Sequence, residues 1–246
     1  MIKNKYMLKK KYKGMTLIEV LFSTAIFSFV AITLFALFKL GQTYWAKGIA
    51  YNTLQSEGKR ILTLLQQDIK ESDINRVSLY KHDTSVNNIF VGSQNVRRDG
   101  LLLSVPNPNY VGGPNAYPLT YRAYIATNEI NDNKGGTGSF YLLEFNPTSP
   151  TGFDTTLSII DSNLSNLSSY GFSNNELSNL SNPRPIRVSL LSDNLFSFEA
   201  EDHRSINTIS ISVLLVRKSF SDQKLQSVRF DLEIAPANNE QFPFNN

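Results

Sequence analysis

The sequence predicts an α+β chain in which a long N-terminal helix, membrane-spanning in its first half, packs on an antiparallel β-sheet domain. Three observations predict it. Val20–Phe38 is a run of 19 residues without a charge, which at about 1.5 Å per residue spans a hydrocarbon core of about 30 Å. Beyond it, Leu54, Ile61, Leu62, Leu65 and Ile69 recur on one helical face, with Glu57, Lys59, Gln66 and Lys70 elsewhere. After Asp73 the apolar period changes from that of a helix to two.

Residues 1–14 form a basic leader, with six lysines (Lys3, Lys5, Lys9, Lys10, Lys11, Lys13) and no acidic side chain. Residues 15–38 are the transmembrane helix. Lysines on its near side place residues 1–14 in the cytoplasm and the C-terminal domain outside it. Lys39 can snorkel at the far end, where Tyr44 and Trp45 form an interfacial aromatic pair. Residues 39–72 continue the helix as an amphipathic segment. Gly41, Gly48 and Gly58 are candidate bend points, and a separate helix after a loop is the alternative. A continuous helix to Ser72 would be on the order of 85 Å long.

Residues 73–246 read as a β-rich globular domain. Strands are expected at 76–80, 101–105, 119–126, 139–145, 186–191, 195–201, 208–217 and 226–234, with turn signals at Asn131–Gly136 and Ser205–Asn207. Such a sheet needs a cover, and the apolar stripe of the preceding helix supplies one. Residues 153–182 are rich in Ser and Asn, with the triplet Ser-Asn-Leu recurring at 162, 165 and 178. They read as a long surface excursion with short helical turns at most. The tail from Pro236 reads as loose.

With no cysteine, the chain has no disulfide framework, thiol chemistry or Cys-based metal site. Without the six leader lysines, 18 basic side chains stand against 21 acidic ones, so the formal charge of +3 belongs to the leader. That balance, with Arg97-Arg98 and Arg184/Arg187 too sparse for a groove, predicts no direct nucleic-acid binding. No Gly-x-Ser-x-Gly, His-Glu-x-x-His or phosphate loop is present, so no catalytic residue, cofactor or metal is expected. His82 and His203 lie in polar, turn-like stretches. Neighbours in Glu201-Asp202-His203 point to opposite faces of an extended chain, and Asn131–Gly136 lacks the alternating carboxylates of a calcium loop.

One carboxylate, Glu19, lies inside the apolar segment, where a charge costs several kcal/mol unless compensated. Lys13-Gly14-Met15-Thr16-Leu17-Ile18-Glu19-Val20 resembles the class III signal of type IV prepilins and type II secretion pseudopilins. The resemblance implies that prepilin peptidase cuts after Gly14 and that Met15, where the family usually has Phe, becomes the N-methylated terminus. It implies that Glu19, at the fifth mature position, pairs with a neighbouring subunit's terminal ammonium, with Thr16 helping to position it. Small residues such as Ser23, Ala25 and Ala31 permit close helix packing in a filament core.

The continuing helix and large sheet domain look like the bigger minor subunits, the PilW-type minor pilins and J-type minor pseudopilins. The expected partners are therefore prepilin peptidase, other pilin or pseudopilin subunits and the bacterial inner membrane. The expected role is initiating or capping a type IV pilus or secretion pseudopilus. The alternative is a membrane-anchored exported binding protein or adhesin that does not polymerise. An ordinary secretory signal is disfavoured, because Phe38-Lys39-Leu40-Gly41 is a poor cleavage site.

Overall fold

The computed structural model describes residues 15–72, 76–88, 92–107, 119–146, 153–168, 172–173, 180, 184–220 and 223–236. The leader, including Gly14, and the tail beyond Pro236 lie outside these residues. The chain divides into two compact units, Met1–Trp45 and Ala46–Asn246. One helix, α1 (Leu17–Glu71), begins in the first and ends in the second.

In the first unit the apolar side chains of α1 are exposed, among them Phe22, Phe27, Phe29, Phe35 and Phe38. The helix is long and apolar enough to cross a membrane. The hydroxyls of Thr24, Ser28 and Thr33 are satisfied within it. Thr24 Oγ1 donates to the Val20 and Leu21 carbonyls at 3.0 and 2.9 Å, and Ser28 Oγ to the Thr24 carbonyl at 2.8 Å. In hydrocarbon this matters, because no water would serve those groups.

The second unit is a helix-covered antiparallel sheet. Its strands are β1 (Ser78–Tyr80), β2 (Asp83–Asn88), β3 (Gly92–Arg97), β4 (Gly100–Pro106), β5 (Leu119–Ala126), β6 (Gly138–Phe145), β7 (Arg187–His203), β8 (Thr208–Lys218) and β9 (Leu225–Ile234). A seven-stranded sheet runs in the order β1-β4-β5-β6-β7-β8-β9, and β2 and β3 pair as a separate hairpin. From β4 onward each strand pairs antiparallel with the next, the usual arrangement for strands that follow one another in the chain.

Ala46, Ala50, Leu54, Gly58, Ile61, Leu65 and Ile69 of α1 are buried. Leu54, Ile61, Leu65 and Ile69 join Leu101, Leu103, Tyr124, Phe140, Phe198 and alternate residues of β8 in the main core. Leu62, expected in this stripe, is only half-buried, and Leu64 packs against the core instead. Gly58 serves close packing. The helix continues through it, and a Cβ there would strike the Phe230 ring. Phe230 uses the missing side chain as its seat.

The Ser/Asn-rich stretch differs from the short turns expected. It carries α2 (Phe153–Ser168), a 16-residue helix. Ile160 and Leu164 of α2, with Phe172, form a second core with Leu102, Tyr121, Ile125, Leu143 and Phe145. The sheet is thus covered on both faces over β4–β6, which explains why β4 reads Leu101-Leu102-Leu103 rather than alternating. A third cluster seats the β2–β3 hairpin through Val86 and Val96 on Phe196 and Val216. Neither hairpin strand was expected, because Asp83–Asn88 and Gly92–Arg97 are polar and bury one valine each. The two strands expected at 186–191 and 195–201 are one strand, β7, whose register shifts against β6 between Leu190 and Leu195 and against β8 between Leu195 and Ser197.

Candidate functional site

α1 opens at the candidate processing and assembly residues. Thr16 precedes the first helical residue, and its backbone N–H and Oγ1 both donate to Glu19 Oε2 at 2.9 Å. Glu19 N–H returns a longer bond of 3.4 Å to Thr16 Oγ1. This reciprocal pair is a capping box, which satisfies donors that a helix start leaves unpaired. Sequence reasoning named both residues but not the motif, although Thr-x-x-Glu before an apolar run is its signature. Glu19 Oε1 accepts no bond among the described residues, so the side chain is oriented by Thr16 and still holds acceptor capacity. Met15 is exposed.

A second set of polar residues, absent from the sequence reading, docks α1 on the sheet. Asp68 is buried on the apolar face of α1. Its carboxylate accepts from Arg122 Nη1 and Tyr124 Oη, each at 2.5 Å. Burial pushes the Asp68 carboxyl above its ordinary range, against the pull of Tyr124 and Arg122. Burial likewise raises the Tyr124 hydroxyl, and Asp68 raises it further. Glu57 accepts from Ser192 Oγ at 2.8 Å and Asn194 Nδ2 at 3.0 Å, and Arg60 donates to the Leu191 carbonyl. The signal for Asp68 was its place in the stripe, one helical turn after Leu65 and beside Ile69.

Arg97 and Arg98, read as too sparse for a nucleic-acid groove, serve the fold. Arg97 bridges Asp99 at 2.5 Å and Glu201 at 2.8 Å. Arg98 is fully buried, and its guanidinium donates to the carbonyls of Phe196, Thr127, Glu129 and Gly136. Burial pushes it down to about 10, still charged at neutral pH. It ties the β5–β6 connection to β7.

Asn131–Gly136 forms that connection as a single 3₁₀ turn, Asp132–Lys134. Asn131 caps it, and Gly135 closes it at a φ of 86° that suits glycine. In Glu201-Asp202-His203, Glu201 goes to Arg97 and Asp202 to Arg204. Among the described residues no group of three His, Asp or Glu side chains could hold a metal ion.

Comparison with known proteins yields one finding. Residues 9–35 match the family model for the prokaryotic N-terminal methylation motif. No curated protein and no solved structure matches the chain. The match supports the type IV pilin-like prepilin class. It covers the last six residues of the leader, the capping box and all but the last three residues of the apolar segment 15–38. The motif is one of processing and assembly rather than of an enzyme class. Together with the apolar helix it fits a membrane-anchored precursor.

Proposed function

We propose that the chain is the precursor of a minor pilin or pseudopilin. Prepilin peptidase cuts it between Gly14 and Met15, the Met15 amine is methylated, and α1 then packs with the helices of neighbouring subunits. The observation that carries this reading is the methylation motif at residues 9–35, which ends in an apolar helix opened by Thr16 and Glu19.

The physical logic lies in Glu19. A carboxylate held in hydrocarbon is tolerated when an opposite charge meets it, and breaking such a buried pair costs about 3–5 kcal/mol. Cleavage supplies an ammonium at Met15. Thr16 occupies one oxygen of Glu19, and the other is available to a neighbouring subunit's terminus. A subunit in register is favoured over one out of register. The leader lysines hold the N-terminus in the cytoplasm before cleavage, leaving the second unit outside. The bulk of that unit, with α2 and an extra hairpin around the sheet, supports a position at the start or end of a filament.

The intact mass of the membrane-extracted chain tests the reading. Loss of Met1–Gly14 with one added methyl is expected, and a retained leader rejects the proposal.

A further inference from the structure

We propose that the first half of β7 is a sheet edge at which an extended strand of a neighbouring pilin-class subunit adds to the second unit. The inference rests on the assembly reading above and names the surface on which that neighbour sits.

β7 is longer than the strands on either side of it. Arg187–Leu190 pair with β6, whereas pairing with β8 begins only at Leu195. In an antiparallel ladder every second residue aims its N–H and C=O away from a given neighbour. Over Arg187–Leu190 no strand among the described residues meets those outward groups. Further along, Arg60 donates to the Leu191 carbonyl and Thr137 Oγ1 to that of Asp193, so side chains serve the strand there.

Ile186, Val188 and Leu190 alternate along this stretch and are 60%, 48% and 51% exposed. Val188 lies opposite Leu143, and Leu190 opposite Tyr141. Residues directly opposite share a face, so this row continues, one strand further out, the face that α2 covers over β4–β6.

The two outermost strands of the sheet are guarded. β1 is three residues long, and the exposed positions of β9 are Ser227, Arg229, Asp231 and Glu233. Short strands and charged side chains are how a sheet edge refuses a partner. The edge of β7 has neither device on its apolar face.

These features define the occupant. The outward backbone groups fit an extended peptide, and the apolar row fits apolar side chains at its alternate positions. The charges fit a carboxylate at its end. Arg184 is exposed with no ion-pair partner among the described residues, and Arg187 reaches Glu144 of β6 only at 3.8 Å. Glu144 thus shows on one side of β7 what the added strand places on the other. A second copy of this chain does not fit, because its own β7 edge would bring the same arginines and no carboxylate between positions 184 and 192. One edge takes one strand and does not propagate, which suits a subunit at the start or end of a filament.

Val188→Lys with Leu190→Lys puts on β7 the charge that guards β9. Both positions are exposed, so processing and membrane level should match the native chain. Incorporation into sheared filaments should fall about ten-fold or more, the factor expected from losing one buried apolar side chain. Ser227→Lys, on the edge of β9, should leave incorporation unchanged. Benzoylphenylalanine at position 188 of the full-length chain, photolysed in membranes, should link it to a different chain, identified by its tryptic peptides as a methylation-motif protein. Lysine variants that enter filaments as well as the native chain overturn the edge contact. So does a link at 188 only to a second copy, or no link at all. The two readings fail separately: a retained leader rejects the prepilin reading whatever the link shows, and processed chains without a link at 188 reject only the edge.

Discussion

Glu19 and Thr16 act as one device. Thr16 satisfies the helix start and fixes the carboxylate that a neighbouring ammonium is proposed to meet. Glu19→Val removes the charge cost, so membrane insertion should be intact or improved while incorporation into filaments falls. Glu19→Gln keeps the shape without the charge and should also impair incorporation. Sedimentation of sheared filaments, probed for this chain, measures both, and unchanged incorporation rejects the pairing. The proposed cleavage after Gly14 requires that residue 14 have no side chain, so Gly14→Val should leave the leader attached, visible as the higher mass on a gel. Thr16 and Glu19 were legible in the sequence because their chemistry is local, four positions on one turn. Arg98 was not. Its four carbonyl partners come from segments 29 to 98 positions away.

At the scale of elements, α1 is held to the sheet by an apolar stripe and by polar anchors at Glu57, Arg60 and Asp68. Gly58 within that stripe tests close approach. Gly58→Ala should destabilise by about 1–3 kcal/mol, since the Phe230 ring must move. Gly41→Ala and Gly48→Ala meet nothing within 4 Å and should stabilise the helix by up to about 1 kcal/mol each. Chemical denaturation of the detergent-solubilised chains separates the two outcomes.

Asp68 gives a pH signature. Its carboxyl lies above the ordinary 3.8 in the folded chain, chiefly through burial. The folded state therefore holds the proton more readily than the unfolded one. Its contribution is present below the ordinary value and is lost as pH rises through the raised one. The unfolding free energy of the native chain should fall across that window, and Asp68→Asn should flatten the slope. The stripe was legible because helical period survives in sequence. The anchors were less so, because Asp68, Arg122 and Tyr124 meet only when α1 lies on β5.

For the whole molecule, the sheet needs two covers, since β4 is buried on both faces. A fragment starting near Gly41 retains the covering half of α1 and should fold without membrane or detergent. One starting after Ser72 exposes the main core and should not fold. Burial of Leu54, Ile61, Leu65 and Ile69 is worth about 1.5–3 kcal/mol each, which approaches the whole stability of a domain. A cooperative thermal transition from the shorter fragment would show that the sheet stands without α1. Leu164→Ala in α2 should cost about 2–5 kcal/mol in the longer fragment, whereas a free surface excursion would register no loss.

The sequence by itself determined the apolar helix with its single carboxylate, the amphipathic stretch after it and most of the strands. Each is written in local period, charge and spacing. Only the tertiary structure decided that the Ser/Asn-rich stretch carries a core helix. Phe153, Leu157, Ile160, Leu164 and Leu167 do recur at helical spacing within the Ser and Asn residues, but that Ile160 and Leu164 belong to a core follows only from their packing against Tyr121, Leu143 and Phe145. The same holds for the polar β2–β3 hairpin, which exists as a layer because Val86 and Val96 find Phe196 and Val216. Burial is a property of the partner surface, and a partner brought in from a hundred residues away leaves little trace in the local pattern.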